Sequence, residues 1–135
     1  MNLYLASEYD YKRGYGAYCA LFEQDNQQVL RGWRTQQKAT DDSLALDCAI
    51  DALEQFTHII PVTVYTQNHY LLKGCTTHWL ERVQKMNSQM SVPHVKLWQF
   101  LDRHLDEWRS HDVALEWKLG THPITQKELA RLMVK

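Results

Sequence analysis

The first third of the chain has the hydrophobic pattern of an antiparallel sheet. Residues 2–8 and 15–23 are runs rich in aromatic and β-favouring types, and a polar stretch, EQDNQQ, separates the second run from a third, QVLRGWRT. Runs of this kind bounded by polar turns are typical of β-strands. The pattern therefore predicts a three-stranded antiparallel meander.

An amphipathic helix is predicted next, within KATDDSLALDCAIDALEQF. Leu46, Ala49, Ile50 and Leu53 recur at i, i+3, i+4 and i+7, which places them on one face. The residues TDDS at 40–43 supply N-cap candidates, and acidic residues in a first turn suit the helix dipole. The compact apolar run IIPVTVYT that follows predicts a buried strand, parallel to the first.

The second half of the chain predicts helices around one more strand. The pattern from residue 69 to about residue 86 is helical, with Gly74 as a break between two pieces. A proline then precedes a long helix whose apolar stripe includes Trp98 and Trp108. The alternation in VALEWKL predicts a strand.

A short helix is predicted in TQKELARLM. Thr125 is the expected N-cap and Glu128 stands three residues later, which is the spacing of a capping box. Strands interleaved with helices indicate an α/β domain with a mixed sheet.

Length and net charge limit the number of domains and the classes of binding partner. The chain has 135 residues, and this length predicts a single domain spanning residues 1–135. The net charge of −1 argues against a broad basic surface for nucleic acid, although a local patch can exist within a neutral total. There is no apolar run near the ~20 residues that a membrane helix needs, and no signal peptide is visible.

The cysteines do not form a metal or disulfide motif. Cys19, Cys48 and Cys75 are widely spaced, and we expect them to be reduced, buried side chains in a cytoplasmic protein. The seven histidines show no HExxH pattern.

Six segments, in order, resemble the type 1 ribonuclease H family. GYGA at 14–17 matches the family's second strand, and Trp79 matches a helix tryptophan. ATDDSLALDCAIDALE resembles TTNNRMELMAAIxALE, and VYTQNHYLLKG resembles STDSQYVxxG. VKLWQFLD resembles VDLWQRLD, and LEWKLG with HP and KELAR resembles WEWVKGH with HP and DELAR. The resemblance implies a ribonuclease H-like fold, a five-stranded mixed sheet of a three-stranded antiparallel meander plus two parallel strands, flanked by helices.

The resemblance also implies a chemistry, cleavage of the RNA strand of an RNA/DNA hybrid by two divalent metal ions. Four carboxylates hold those ions in the family, because hard oxygen ligands must offset the metal charge. In this chain the matching positions are Ala6 (or Ser7, if the register slides by one), Ala45, Gln67 and Lys127. We therefore expect a catalytically inactive domain without a bound metal.

Two interpretations of the nearby carboxylates stay open. Glu8, Asp10, Asp41 and Asp42 can be relocated ligands for Mg²⁺ or Mn²⁺, which would make the protein an active metal-dependent endoribonuclease acting on RNA/DNA hybrid. Alternatively, they are ordinary loop and helix-cap residues.

Several residues are candidates for contact with nucleic acid. Lys12 and Arg13 lie among tyrosines in a segment that is either a contact surface or a simple turn. Thr40 matches a phosphate-contacting residue of the family. Lys127 can pair with a phosphate or with Glu8 or Asp10, or it can be a solvated lysine. The predicted function is a binding module, whose partner is another protein, a second copy of the chain or, weakly, nucleic acid.

Overall fold

The computed structural model describes residues 1–76 and 94–134. Five strands form one mixed sheet in the order β3-β2-β1-β4-β5. The antiparallel strands are β1 (Asn2–Asp10), β2 (Tyr15–Gln24) and β3 (Gln27–Thr35), whereas β4 (Val62–Thr66) runs parallel to β1 and β5 (Leu115–Leu119) parallel to β4. The predicted meander and the two parallel strands are confirmed.

Four helices lie in the described ranges. They are α1 (Asp41–Glu54), α2 (His69–Thr76), α3 (Val95–Ser110) and α4 (Pro123–Met133). None of these helices is long and apolar enough to cross a membrane. The predicted helical piece from residue 77 to about residue 86, including Trp79, lies outside the described residues.

Two apolar clusters hold the sheet between the helices. The main core joins α1, α2 and α3 to one face of the sheet through residues such as Leu5 and Ala20. A smaller cluster joins α4 to Ala6, the residue after Leu5 on β1, and to Cys19, the residue before Ala20 on β2. Because successive strand residues point to opposite faces, α4 covers the face of the sheet that α1 does not.

The cysteines are free thiols, and the prediction that they are buried is confirmed for two of the three. Cys19 and Cys48 are buried and Cys75 is half-buried. Burial raises the pKa of the Cys19 thiol to about 12 and raises that of Cys48 well above its usual value. These thiols are therefore protonated near neutral pH and behave as small apolar side chains.

Helix α1 begins at a reciprocal cap. The Thr40 hydroxyl accepts from the Ser43 amide at 3.0 Å, and the Ser43 hydroxyl accepts from the Thr40 amide at 2.9 Å. Two of the amides that a helix start leaves unpaired are thereby satisfied. The predicted apolar face of α1 is buried, with Leu46 and Ala49 both at 0% exposure.

The predicted cap of the last helix is wrong. Helix α4 begins at Pro123 and His122 is its N-cap, with Nδ1 accepting from the Ile124 amide at 3.0 Å. Thr125 lies inside the first turn, fully buried, and its hydroxyl donates to the His122 carbonyl at 2.8 Å. Proline at the first helical position has the helical φ already fixed, which favours this earlier start.

Gly74 does not break α2, contrary to the prediction. The helix continues through Gly74, and a Cβ placed there would lie 2.1 Å from Cη2 of the Trp98 ring. Trp98 is fully buried and its indole N–H donates to the Tyr70 hydroxyl at 2.7 Å. Gly74 is therefore a site of close helix–helix packing.

Asp47 on α1 carries an unfavourable charge. Burial, and then the charge of Asp51 one turn away, raise the pKa of Asp47 to about 6. Asp51 itself accepts a hydrogen bond from the Tyr18 hydroxyl. Since the folded state favours protonated Asp47, this carboxyl contributes stability below about pH 4, and that contribution is lost as the pH rises through about 6.

We expect Gly74→Ala to lower the free energy of unfolding by about 1–3 kcal/mol, because the added methyl group overpacks against the Trp98 ring. Gly32→Ala is the matched control, since its Cβ would meet only the flexible end of Leu132, at 2.9 Å. Urea denaturation measures both variants. A Gly74→Ala protein as stable as the wild type would contradict this account of the packing.

We expect Asp47→Asn to raise stability by about 1 kcal/mol at pH 7 and to leave it unchanged near pH 4, a magnitude reduced to allow for partial solvent screening. Thermal unfolding from pH 4 to pH 7 measures the difference. Glu116→Gln, at an exposed strand position, is the control. An equal gain at both pH values would show that the carboxylate charge is not the cause.

Candidate functional site

A cavity of about 220 Å³ lies where β1 and β4 approach the start of α1. Ligand sites in α/β folds commonly occupy this position, beside the carboxyl ends of parallel strands. Its lining comes from β1, the start of α1, the end of β4 and α4, and it comprises Leu5, Ala6, Ser7, Glu8, Asp41, Thr66, Gln67, Asn68, Gln126 and Leu129.

The structure brings two of the four predicted positions to this cavity. Ala6 and Gln67 line it, and Ser7, the alternative to Ala6, lines it as well. Ala45 lies in the main core at 2% exposure. Lys127 is exposed on α4 and does not line the cavity.

The four candidate carboxylates divide in the same way. Glu8 and Asp41 line the cavity, whereas Asp10 and Asp42 do not. Asp41 Oδ1 accepts from the Tyr9 amide at 3.0 Å, which ties the start of α1 to β1. Glu8 is exposed.

Asp42 is held by an amide. Its Oδ1 accepts from Asn68 Nδ2 at 3.1 Å, and Asn68 Oδ1 accepts from the Leu71 amide at 2.7 Å. Asn68 therefore joins the start of α1 to the start of α2, and Asp42 has a structural partner.

Asp10 organises the turn between β1 and β2. It accepts from the backbone amides of Lys12 and Arg13 at 3.0 and 3.1 Å, and from Arg13 Nε at 2.7 Å. The bond from the Arg13 side chain holds the pKa of Asp10 below its usual value. Arg13 also donates to the Met133 carbonyl at 2.7 Å, so this segment is a turn anchored to α4. Lys12 remains exposed.

The donor set does not fit a two-metal centre. In the described ranges, no group of three or more His, Cys, Asp or Glu side chains is placed to hold a metal ion. The cavity offers Glu8 and Asp41, of which Asp41 already accepts from a backbone amide. Two adjacent Mg²⁺ ions need more anionic oxygen than these two side chains supply.

Amide side chains line the position where the sequence resemblance implies carboxylates. Gln67 Oε1 accepts from Gln126 Nε2 at 3.4 Å, and Gln126 also donates to the Thr121 hydroxyl. Gln126 was not predicted as a site residue. Its only signal was its place beside Lys127 in the segment that resembles the family.

Thr40 lies at a second polar junction. Its Oγ1 is 3.5 Å from His94 Nε2, so the start of α1 meets the residue that precedes α3. Unpaired amides and the helix dipole make helix N-termini favourable places for anions. His94 was not predicted as a site residue, and its φ of 59°, unusual for a non-glycine residue, carries no local sequence signal.

Comparison with known proteins identifies the family. No protein-family model matches the chain. The ribonuclease H of Caldicellulosiruptor saccharolyticus is 30% identical over 131 residues, which cover 90% of this chain and 87% of that protein. The ribonuclease H of Hahella chejuensis is 33% identical over 103 residues, covering 71% and 68%.

A solved structure has the same fold. LC11-RNase H1, determined in complex with an RNA/DNA hybrid, superimposes with a TM-score of 0.64 at 11% identity, covering 95% of this chain and 91% of that one. The sheet order, the six matching segments and the relatives of similar length lead to one conclusion: the chain belongs to the ribonuclease H family.

Proposed function

We propose that this ribonuclease H-family protein binds RNA/DNA hybrid without cleaving it. The observation that carries the proposal is the chemistry of the cavity. Ala6 and Gln67 line it at positions that the resemblance equates with metal-binding carboxylates, and Ala45 is buried in the core. A methyl group or a neutral amide cannot replace an anionic oxygen beside two divalent cations.

The partners of the remaining carboxylates support the absence of cleavage. Asp10 is bound by Arg13, Asp41 by the Tyr9 amide and Asp42 by Asn68. Each of these acids therefore has a structural partner that occupies part of its acceptor capacity. Lys127, at the fourth matching position, is a cation, and a cation repels a metal.

Retained binding is supported by exposed cations outside the cavity lining and by the N-terminus of α1. Lys12 and Lys127 are exposed, and neither has an ion-pair partner among the described residues. Thr40 caps the N-terminus of α1, whose dipole attracts an anion, whereas Asp41 and Asp42 in the first turn oppose it. LC11-RNase H1, which shares the fold, was solved with a hybrid. The net charge of −1 predicts modest, salt-sensitive affinity.

One observation favours a second candidate, the metal-dependent endoribonuclease with rebuilt ligands. Glu8 and Asp41 share the cavity, so a single Mg²⁺ or Mn²⁺ would find two carboxylates there. In this candidate Asp41 binds the metal through Oδ2, while Oδ1 keeps its hydrogen bond from the Tyr9 amide. The two candidates therefore differ in what Asp41 does.

We expect a labelled RNA/DNA hybrid to shift in a low-salt gel and to stay intact with Mg²⁺ or Mn²⁺. Lys127→Ala should weaken the shift roughly three- to tenfold, because one phosphate contact is lost. Lys118→Ala on β5 is the control. The Lys118 ammonium lies 4.0 Å from the Glu116 carboxylate, which offsets its charge. Metal-dependent fragments, abolished by EDTA and absent from a mock purification, would overturn the proposal. Absence of any shift would show that the fold has been reused for another partner.

We expect Asp41→Ala to lower stability by about 1–2 kcal/mol equally with and without Mg²⁺, because it leaves the Tyr9 amide without its acceptor. Glu8→Ala, at an exposed position of the same cavity, should change stability little. Denaturant unfolding with and without about 10 mM Mg²⁺ measures the stability of both variants. This concentration is high enough to load a weak site. Stabilisation by Mg²⁺ that disappears in either variant would favour the rebuilt metal site.

A further inference from the structure

Strand β3 leaves one edge of the sheet open. It is the terminal strand, and it pairs with β2 without interruption from Gly16↔Thr35 to Gln24↔Gln27. In the described part of the chain, the backbone of β3 forms backbone hydrogen bonds with β2 alone. A long regular edge of this kind is a template for a further strand.

The edge is positively charged. Arg31 and Arg34 are exposed, are the only charged residues of β3, and form no ion pair with any described residue. Lys38 follows shortly afterwards, and residues 27–40 contain no Asp or Glu, although the chain as a whole has a net charge of −1. The charge of this edge is therefore complementary to an acidic partner.

An apolar pocket lies beside the same edge. It measures about 380 Å³ and includes Val29 and Arg31 of β3 in its lining. The apolar part of the lining is Met1, Phe22, Val29, Phe56 and Ile60. Val29 is 51% exposed, so the pocket opens to solvent next to the strand. A single large apolar side chain would bury these surfaces.

The open edge of β3, its positive charge and the apolar pocket together indicate which kind of molecule binds there. A second copy of the chain is disfavoured as the occupant. β3 carries two arginines and no acidic residue, so pairing two β3 strands would bring like charges together. Nucleic acid can use the arginines, but it has no use for an open β-ladder or an apolar pocket. An extended peptide satisfies all three.

We infer that β3 binds an extended, acidic segment of a partner protein. The segment adds a sixth strand to the sheet. Because Arg31 and Arg34 lie on opposite faces of β3, carboxylates on the two faces of the segment meet them, and one of its large apolar side chains enters the pocket beside Val29, on the same face as Arg31. Strand addition of this kind takes its affinity from main-chain hydrogen bonds and its specificity from side-chain pockets. The inference does not depend on hybrid binding, since it concerns a different surface.

The test uses a panel of fluorescein-labelled decapeptides that carry Glu or Asp at positions three apart, so that the acids lie on both faces of the extended peptide, with Val or Ile between them and one Phe. We expect fluorescence anisotropy to show binding that weakens at least tenfold in the double variant Arg31→Glu/Arg34→Glu and in Val29→Glu. The control is Arg103→Glu, a charge reversal at an exposed position of α3, which should bind within twofold of wild type. Peptides with Lys in place of the acids should bind at least tenfold more weakly.

Hydrogen exchange on the wild-type protein makes the test independent of how the variants fold. Bound peptide should slow exchange of amides in β3 and leave those of α3 unchanged. The inference is overturned if no acidic peptide binds, if the double variant binds as well as wild type, or if β3 gains no protection. It is also overturned if light scattering shows a dimer that excludes the peptide, or if hybrid displaces it.

Discussion

The burial of α1 against the sheet is the interaction on which the rest of the molecule depends. Leu46 and Ala49 are fully buried and pack in one cluster with Leu3 and Val64 of β1 and β4. Burial of each large aliphatic side chain contributes about 1.5–3 kcal/mol. The first turn of the same helix supplies Asp41 to the cavity, so this packing fixes both the core and the geometry of the candidate site.

Because the core depends on the apolar face of α1, the fold does not require a carboxylate on that helix. Ala45 stands where the family resemblance has a metal-binding glutamate, yet in this chain it belongs to the core at 2% exposure. An ionised carboxylate in such surroundings costs several kcal/mol unless a cation or hydrogen bonds compensate it. The helix therefore needs its apolar face for folding but does not need a carboxylate at this position.

Features that depend on local pattern were predictable, whereas features that depend on distant partners were not. The positions of the strands and the buried face of α1 follow from periodicity, the five-stranded mixed sheet followed from the family resemblance, and Thr40 was one of four N-cap candidates. The role of Gly74 depends on Trp98, and the bond from the Tyr9 amide to Asp41 joins residues 32 positions apart. A histidine N-cap such as His122 is rare enough that the sequence favoured Thr125. The cavity was predictable in its strand-end residues, but its contact with Gln126 of α4 was not.

The position of α4 has a consequence for biosynthesis. This helix buries Tyr15, Ala17 and Cys19 on the second face of the sheet, and the ribosome makes it after all five strands. A nascent chain can form the β1–β3 meander early, because its contacts are local. During that interval its apolar second face is open to other nascent chains and to chaperones. The speed with which α4 docks therefore sets how long the newly made protein is prone to aggregate.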